Sequence, residues 1–392
     1  MLQTDYTTTI LGLEDVIINK ITEENDRLHI YVTMPRKKHQ CPVCRMETEK
    51  VHDYRWQKVK DIQGYGRASI LHIRKRRYVC DACRKRFAEE IAFLPRYYRV
   101  TSRLVAHVIY SFREMHCISD IAKSHNISAA TASRYFRCVQ YRCKSLPEVL
   151  SIDEFKGNAG GEKYQCIVTD GKLHKVLDIL PNRKQENLIA YFKSFSTRNS
   201  VKYVVMDMNS SYLAVAAFCF TKAQVVIDRY HIVRQVLWDF EKVRKVVQQD
   251  FSDSRRKYFK RSRKLLMKNP AKLSEEEADQ VAVMLQVSQR LREAYHLKNR
   301  FLEFMQSKNR NEAAERLKRW ILLAEVSGLE EFNTSIKALH NWDQYVLNAF
   351  ACPYSNGFTE GCNNKIKVLK RISYGVRNFP RFRNRILHIM SH

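Results

Sequence analysis

The sequence predicts a mixed α/β protein made of several domains. Two cysteine pairs with the spacing Cys-x-x-Cys mark a metal-stabilised segment in the first quarter of the chain. Further along, two aspartates each follow an apolar, β-branched run that is typical of a buried strand. A long stretch that is dense in charge and has helical apolar spacing follows. These features predict an α/β core with an all-helical insertion, preceded by two small domains.

The chain carries a large excess of positive charge. Its 392 residues include 69 Lys and Arg against 41 Asp and Glu, a net charge of +28, and 45% of the residues are hydrophobic. The hydrophobic content supports real cores and excludes a disordered protein. The charge predicts a nucleic-acid partner, and a merely basic protein is the alternative. No apolar run approaches the ~20 residues of a membrane span, so we expect a cytoplasmic protein without a membrane partner.

The two cysteine pairs predict a structural zinc site. They are Cys41 with Cys44 and Cys80 with Cys83, and the residues between them alternate as two strands around a Gly64-Tyr65-Gly66 turn. Four thiolates can hold zinc tetrahedrally and leave no open position for water. A redox dithiol or buried structural cysteines are the alternatives. We therefore expect a zinc-ribbon-like domain over residues 1–98.

A helix-turn-helix pattern follows over residues 99–146. The segment from Ile121 to Arg134 reads Ile-Ala-x-x-x-x-Ile-Ser-x-x-Thr-x-x-Arg, and Ser128 is placed to cap a second helix over 129–141. A plain helical hairpin is the alternative. In the DNA-binding interpretation, the second helix presents four residues to a major groove: Thr131, Ser133, Arg134 and Arg137.

The pattern over residues 147–231 becomes α/β. We expect three strands as a meander, then helix, strand, helix, strand, which is the order of a ribonuclease-H-like fold. The predicted elements are strands at 149–155, 164–169, 174–180, 201–206 and 224–227, with helices at 185–195 and 210–220. Asp153 on the first strand and Asp207 after the fourth would then lie on adjacent strands. Carboxylates placed in this way can share divalent cations.

Residues 232–345 read as a helical insertion, and residues 346–392 as the C-terminal part of the core. Glu360 opens a basic stretch with helical spacing in this last part. Lys365 and Lys367 would meet DNA phosphates, and Asn363 and Asn364 would add hydrogen bonds there. Taken alone, Glu360 would be better explained as an ordinary acid at a helix start.

Taken together, the motifs resemble those of bacterial insertion-sequence transposases of the DDE type, most closely the ISL-three family. The resemblance covers nearly the whole chain and rests on the cysteine pairs and on these segments: Ser151-Ile-Asp-Glu-Phe155, Asp207-Met with Tyr212, Asp228-Arg-Tyr-His231, and Ser355-Asn-Gly-Phe-Thr-Glu360-Gly-Cys-Asn-Asn-Lys365-Ile-Lys367. It implies a ribonuclease-H-like core and a bacterial protein that is nucleoid-associated when bound to DNA. It also implies terminal inverted repeats and target DNA as partners, and a homo-oligomer in the synaptic complex.

The resemblance also implies that Asp153, Asp207 and Glu360 are the catalytic acids. In that scheme Asp153 bridges two Mg²⁺ or Mn²⁺ ions, and Asp207 and Glu360 each hold one of them. Asp228 and His231 would support the ligands or contact DNA, although a helix cap with a core histidine is an equal alternative.

Two acids are lesser candidates for the metal site, and two other function classes remain open. Asp170 and Glu154 could each be mistaken for a ligand. A zinc-ribbon and helix-turn-helix DNA-binding regulator with an inert core is one alternative function. A structure-specific nuclease without strand transfer is the other, because it would use the same acids and metals.

Overall fold

The computed structural model describes residues 11–391 except residues 14 and 262. The chain forms two compact units. The first comprises residues 1–141 together with 369–375, and the second comprises 142–368 together with 376–392. The architecture is mixed α/β, as the sequence predicts.

The first unit is built on a five-stranded sheet. Its strand order is β1-β2-β6-β5, with β7 paired to β6; β2 and β6 run parallel, and the other neighbours run antiparallel. One face of the sheet is apolar and packs on the chain before β1 and after β7 through residues such as Leu71 and Ile91. The strands are β1 (Ile17–Glu24), β2 (Arg27–Thr33), β3 (His39–Gln40), β4 (Glu47–Thr48), β5 (Val51–Gly64), β6 (Arg67–Val79) and β7 (Arg86–Ala88).

Two tight turns shape this sheet, and the sequence predicted one of them. The β5–β6 turn is confirmed, with Tyr65 and Gly66 both at positive φ as a two-residue hairpin turn requires. The β1–β2 hairpin was not predicted. It turns at Asn25 and Asp26, whose φ angles of 50° and 58° suit a short polar side chain. Apolar and polar residues do not alternate regularly in β1, so the pattern that predicts a strand is weak there.

Three helices follow the sheet in the first unit. They are α1 (Ser102–Ser111), α2 (Ile118–Ser124) and α3 (Ala129–Phe136), and they share one small apolar core. Ser128 caps α3 as predicted, by accepting a hydrogen bond of 3.1 Å from the amide of Thr131. The prediction that α3 continues to Tyr141 is wrong. After Phe136 the amide of Val139 bonds back three residues, to the Phe136 carbonyl, and this tighter turn ends the helix.

A buried carboxylate joins this sheet to the helices. Asp61 on β5 accepts a hydrogen bond of 2.6 Å from the hydroxyl of Thr101, which is the N-cap of α1. Arg103 pairs with both oxygens of the same carboxylate. The Asp61 side chain is 1% exposed and that of Arg103 is 24% exposed, so water competes little with this ion pair. The network fixes the start of α1 against β5.

The second unit is built on a different five-stranded sheet. Its order is β10-β9-β8-β11-β12: β8, β9 and β10 form an antiparallel meander, and β8, β11 and β12 run parallel. The first and last predicted strands of this region are confirmed to the residue, and the other three within two residues. The strands are β8 (Val149–Phe155), β9 (Gln165–Asp170), β10 (Lys175–Leu180), β11 (Tyr203–Met206) and β12 (Gln224–Ile227).

Helices make up most of the rest of the second unit. A long helix begins directly after β12, and a run of helices extends from it to Asn348 around a core that includes Phe301 and Trp320. Trp342 packs against this core. None of the helices in the described ranges is long and apolar enough to cross a membrane. The helices are α4 (Gln185–Lys193), α5 (Ser210–Cys219), α6 (Arg229–Gln249), α7 (Asp253–Arg261), α8 (Arg263–Met267), α9 (Glu275–Gln286), α10 (Gln289–Met305), α11 (Arg310–Val326), α12 (Asn333–Asn348), α13 (Gly357–Ile372) and α14 (Phe379–Met390).

Removing the buried carboxylate of Asp61 should loosen the first unit. We expect Asp61→Ala to lower its free energy of unfolding by about 3–5 kcal/mol, because Arg103 and Thr101 lose their shared acceptor. Hydrogen exchange of the amides in α1 and β5 measures the change. Glu23→Ala, which breaks the exposed pair of Glu23 with Arg67, is the control and should cost less than about 1 kcal/mol. Equal protection in both variants would contradict the role of Asp61.

Candidate active site

Three aspartates lie at the same level of the second sheet, Asp153 near the end of β8 and Asp207 and Asp228 directly after β11 and β12. Val205 pairs with Ser151, so Asp207, two residues on, lies beside Asp153. Met206 pairs with Ile227, so Asp207 also lies beside Asp228. Side chains at one level of adjacent strands share a face. The pairing of β8, β11 and β12 therefore brings Asp153, Asp207 and Asp228 together.

A histidine lies between two of these aspartates. The Nδ1 atom of His231 lies 2.6 Å from an oxygen of Asp207 and 3.6 Å from an oxygen of Asp228. Burial alone would lower the pKa of His231, but the hydrogen bonds with Asp207 and then Asp228 outweigh it and raise the pKa to about 10. The two carboxylates therefore favour the protonated form of the ring. Asp228 occupies the N-cap position of α6, but its side chain makes no capping hydrogen bond to the helix.

Glu360 lies in the first turn of α13, and two buried contacts position that turn. The Thr359 hydroxyl lies 2.8 Å from the Thr169 hydroxyl of β9. The amide of Asn356 donates a 3.2 Å hydrogen bond to Asp228, and the Asn356 carbonyl accepts from the amide of Glu360 at 2.8 Å. The start of the helix is thus tied to the sheet on one side and to the acidic cluster on the other.

Asn363, one turn further along α13, contacts Asp153 directly. Its Nδ2 atom donates to Asp153 at 2.7 Å, and the residue is 6% exposed. The expectation that Asn363 contacts DNA is therefore wrong, because the side chain is buried against a carboxylate. The available signal was spacing: residues three apart on a helix share a face, so Asn363 had to lie on the side of Glu360. Asn364, the next residue, is exposed as expected.

Negative charge is concentrated in this cluster. Burial and then the neighbouring charge of Asp207 raise the pKa of Asp153 to about 7. Burial and then the charge of Asp228 raise the pKa of Glu360. Both shifts have the same two causes, burial of the carboxylate away from water and the negative charge of a neighbouring aspartate, and both make ionisation costly. A cation bound among them would relieve this cost.

The structure assigns other partners to the two lesser candidates. Glu154 forms an ion pair with Arg183. Asp170 accepts hydrogen bonds from the amides of Lys172 and Leu173 at 2.8 and 2.9 Å, as an aspartate in a tight turn does. Both carboxylates serve the fold beside the cluster.

The donors in the cluster fit hard divalent cations. Asp207, Asp228 and His231 bring possible ligand atoms within 4.8 Å of one another. The buried side-chain oxygen of Asn363 has no hydrogen-bond donor among the residues that the structure describes, and leaving a buried acceptor unsatisfied is costly. Carboxylate oxygens are the ligands that Mg²⁺ and Mn²⁺ prefer.

The four predicted zinc ligands come together in the first unit. Their sulfur atoms lie within 4.8 Å of one another, with Cys41 to Cys83 at 3.5 Å and Cys44 to Cys80 at 3.4 Å. The two knuckles have the same backbone: Arg45 and Arg84 have φ angles near 60° and donate to the carbonyls of Cys41 and Cys80. Backbone amides, chiefly that of Cys83, lower the pKa of Cys80 and favour the thiolate that zinc requires. The cluster fits a closed, structural zinc site.

The predicted DNA-contacting residues lie on helix surfaces. Arg134 and Arg137 at the end of α3 are exposed, and Thr131 and Ser133 are partly buried. The Thr131 hydroxyl lies 2.9 Å from that of Ser128, so it also supports the cap. Lys365 and Lys367 of α13 are both exposed.

Comparison with known proteins agrees with this geometry. A family model described as a transposase, of the DDE type and the ISL3 (ISL-three) group, matches residues 150–386, more than half of the chain. A second, described as the zinc finger of the transposases of IS204, IS1001, IS1096 and IS1165, matches residues 37–83. The transposase for insertion sequence element IS1001 of Bordetella parapertussis is 28% identical over 373 residues, 90% of this chain and 88% of the relative. An ATP-dependent protease of Lactococcus lactis subsp. lactis is 36% identical over 120 residues, 31% of this chain and 36% of that protein.

The cysteine cluster should hold about one equivalent of zinc in the purified protein. Elemental analysis should show that Cys80→Ser loses the metal, because three thiolates bind zinc more weakly than four. Cys138→Ser is the matched control, since Cys138 is an exposed cysteine outside the cluster. Loss of the metal should also unfold the knuckles. Equal zinc in both variants, or none in the wild type, would exclude the site.

Proposed function

Because this chain belongs to the ISL3 family of DDE transposases, we propose that it binds the ends of an insertion sequence and catalyses Mg²⁺-dependent strand cleavage and strand transfer. The observation that supports the proposal is the pairing of β8 with β11, which sets Asp153 and Asp207 side by side. Glu360, in the first turn of α13, lies close enough for the charges of Asp228 and Asp207 to affect its pKa. Transposase chemistry is a polynucleotidyl transfer, and it needs acids that hold metal more than it needs a side-chain nucleophile.

We propose a ribonuclease-H-like core for the second unit. Its antiparallel meander and two further parallel strands support this assignment, and so do the helices that precede β11 and β12. In the proposed division, residues 147–231 and 346–392 are the two parts of the core and residues 232–345 are the insertion. Residues 1–98 are the zinc domain, and 99–146 are the helix-turn-helix domain.

Asp153, Asp207 and Glu360 would hold the catalytic Mg²⁺ or Mn²⁺. When bound, two such ions activate water or a 3′-hydroxyl and stabilise the departing oxygen. The chain's own residues prepare the ligands. Asn363 orients Asp153 through its amide, and His231 lies against Asp207, with its Nδ1 atom 2.6 Å from a carboxylate oxygen. Positioning partners of this kind hold a ligand oxygen in place before the cation arrives.

Recognition of the element ends is proposed for the first unit. The exposed Arg134 and Arg137 of α3 follow the capped helix start, as expected of a helix that enters a major groove. Lys365 and Lys367 of α13 would meet backbone phosphates near the cleaved bond. Target DNA would bind through the same positive charge, and a homo-oligomer would bring two ends together.

Removing any one catalytic acid should abolish cleavage. Asp153→Asn, Asp207→Asn and Glu360→Gln each keep the side-chain shape but remove a charge that a hard cation requires. We expect at least about a 10³-fold loss in Mg²⁺-dependent nicking of a labelled element end, with end binding unchanged. The losses should not add in double variants, because the acids act as one unit. Mn²⁺ should restore part of the activity.

The neighbouring acids provide the controls for this experiment. Glu154→Gln removes a charge directly beside Asp153, but that carboxylate pairs with Arg183, so cleavage should persist. Full activity of Asp153→Asn would contradict the two-metal proposal. If Glu360→Gln were fully active and Asp228→Asn were inactive, Asp228 rather than Glu360 would be assigned as the third metal ligand. Possible ligand atoms of Asp228, Asp207 and His231 lie within 4.8 Å of one another.

The helix-turn-helix proposal makes a separate prediction about how the protein recognises the DNA sequence of the element end. Arg134→Ala should weaken binding to the cognate end by about 1–3 kcal/mol and binding to a scrambled duplex much less, because a base contact is lost. Lys123→Ala, an exposed cation on α2, should weaken both equally and reduce the salt dependence. Titrations on both duplexes at two salt concentrations separate these cases. Unchanged binding by Arg134→Ala to either DNA would remove Arg134 from the interface.

A further inference from the structure

The sheet of the first unit presents an aromatic side to the surface. Its residues alternate with the buried ones: Trp56 pairs with Arg74, and Lys58 and Tyr31 both pair with His72 across the ladders. Directly paired residues point to the same side of a sheet. We call this side the aromatic face, and it consists of Tyr31, Tyr54, Trp56, His72, Lys58 and Arg74.

The rings of the aromatic face form a contiguous group. Tyr31 stacks on His72 with centroids 4.5 Å apart and meets Trp56 edge-on at 6.0 Å. The guanidinium of Arg74 lies over the ring of Tyr54 at 4.1 Å. Trp56 is 59% exposed and Tyr54 is 47% exposed, so both rings present area to solvent. Tyr31 and His72 support them from beneath.

The fold does not account for these exposed rings. The core of the sheet lies on its opposite side, where Ile30, Leu71 and Ile73 are fully buried. A solvent-facing side of such a sheet ordinarily carries polar residues, and a contiguous exposed aromatic group marks a binding surface. Lys58 and Arg74 belong to this face, and Lys20, which pairs with Tyr31 from β1, adds a third cation. Arg76, which pairs with Tyr54, also lies on this side, and its charge is paired with the buried Glu89.

We propose that the aromatic face binds single-stranded DNA, with unpaired bases stacked on Trp56 and Tyr54 and with Lys58 and Lys20 at the phosphates. Aromatic rings interleaved with cations on a sheet bind single strands because every base has a face to stack. In a duplex those faces are already covered by neighbouring bases, so the surface selects unpaired strands. This inference rests on the proposed action on DNA, in which cleavage frees strand ends.

The test compares single-stranded and double-stranded DNA on the full-length, zinc-loaded protein without Mg²⁺. The probe is a fluorescein-labelled oligothymidylate of about 16 nucleotides, beside a random duplex of the same length. Trp56→Ala should weaken binding to the oligothymidylate by roughly five- to 150-fold, the loss of one stacked base, and binding to the duplex by less than about twofold. Trp56→Phe should retain most of the affinity.

Two further variants keep the test decisive. Tyr65→Ala removes a 79% exposed ring at the tip of the same hairpin and should bind both DNAs like the wild type. Tyr54→Ala should repeat the selective loss, and it serves if Trp56→Ala does not fold by circular dichroism and zinc content. Because no cleavage is measured, the result is independent of whether the acidic cluster is catalytic.

The opposite results would overturn the proposal. Equal losses on both DNAs would mean that the face contacts only the backbone. Unchanged binding by both Trp56→Ala and Tyr54→Ala would exclude the face from DNA binding. A change in oligomeric mass by light scattering, with unchanged binding to the oligothymidylate, would assign the face to contacts between copies of the chain.

Discussion

Parallel pairing of β11 with β8 and β12 is the constraint on which the candidate site depends. It sets Asp153, Asp207 and Asp228 at one level, where their like charges repel. The protein opposes that repulsion with the imidazolium of His231 and the amide of Asn363. Burial first, and then the remaining excess of negative charge, raises the pKa values of Asp153 and Glu360. A divalent cation is the natural complement of such a cluster.

The start of α13 adds Glu360 to this group of aspartates. Asn356 connects Asp228 with the amide of Glu360, and Thr359 anchors the helix on β9. One helix therefore delivers both the third proposed acid and the amide that orients the first. The first unit follows a different principle: the cysteine cluster and the Asp61 network stabilise a small sheet, and the side of that sheet opposite its core carries the exposed rings of Trp56 and Tyr54. In the proposed function, the second unit supplies the chemistry and the first supplies recognition of DNA.

The strands of the second unit were predictable because they are buried and β-branched, so burial and propensity agree at β8 and β12. The β1–β2 hairpin was missed because β1 is mostly exposed and its three isoleucines do not alternate with polar residues, so its pairing with β2 identifies it. Asn363 was assigned to DNA because its burial depends on the docking of α13, a long-range contact that local pattern does not show. The early end of α3 has a local cause. It depends on turn hydrogen bonds rather than on the helical pattern.

Anomalous diffraction from Mn²⁺ in crystals of the protein bound to a cleaved element end tests the central claim most directly. The two-metal account predicts two peaks within coordination distance of Asp153, one shared with Asp207 and the other with Glu360. A density map without a peak at Asp153 would contradict it. A single peak among Asp207, Asp228 and His231 would contradict it equally, because that ion would leave the first acid of the proposed triad without a role.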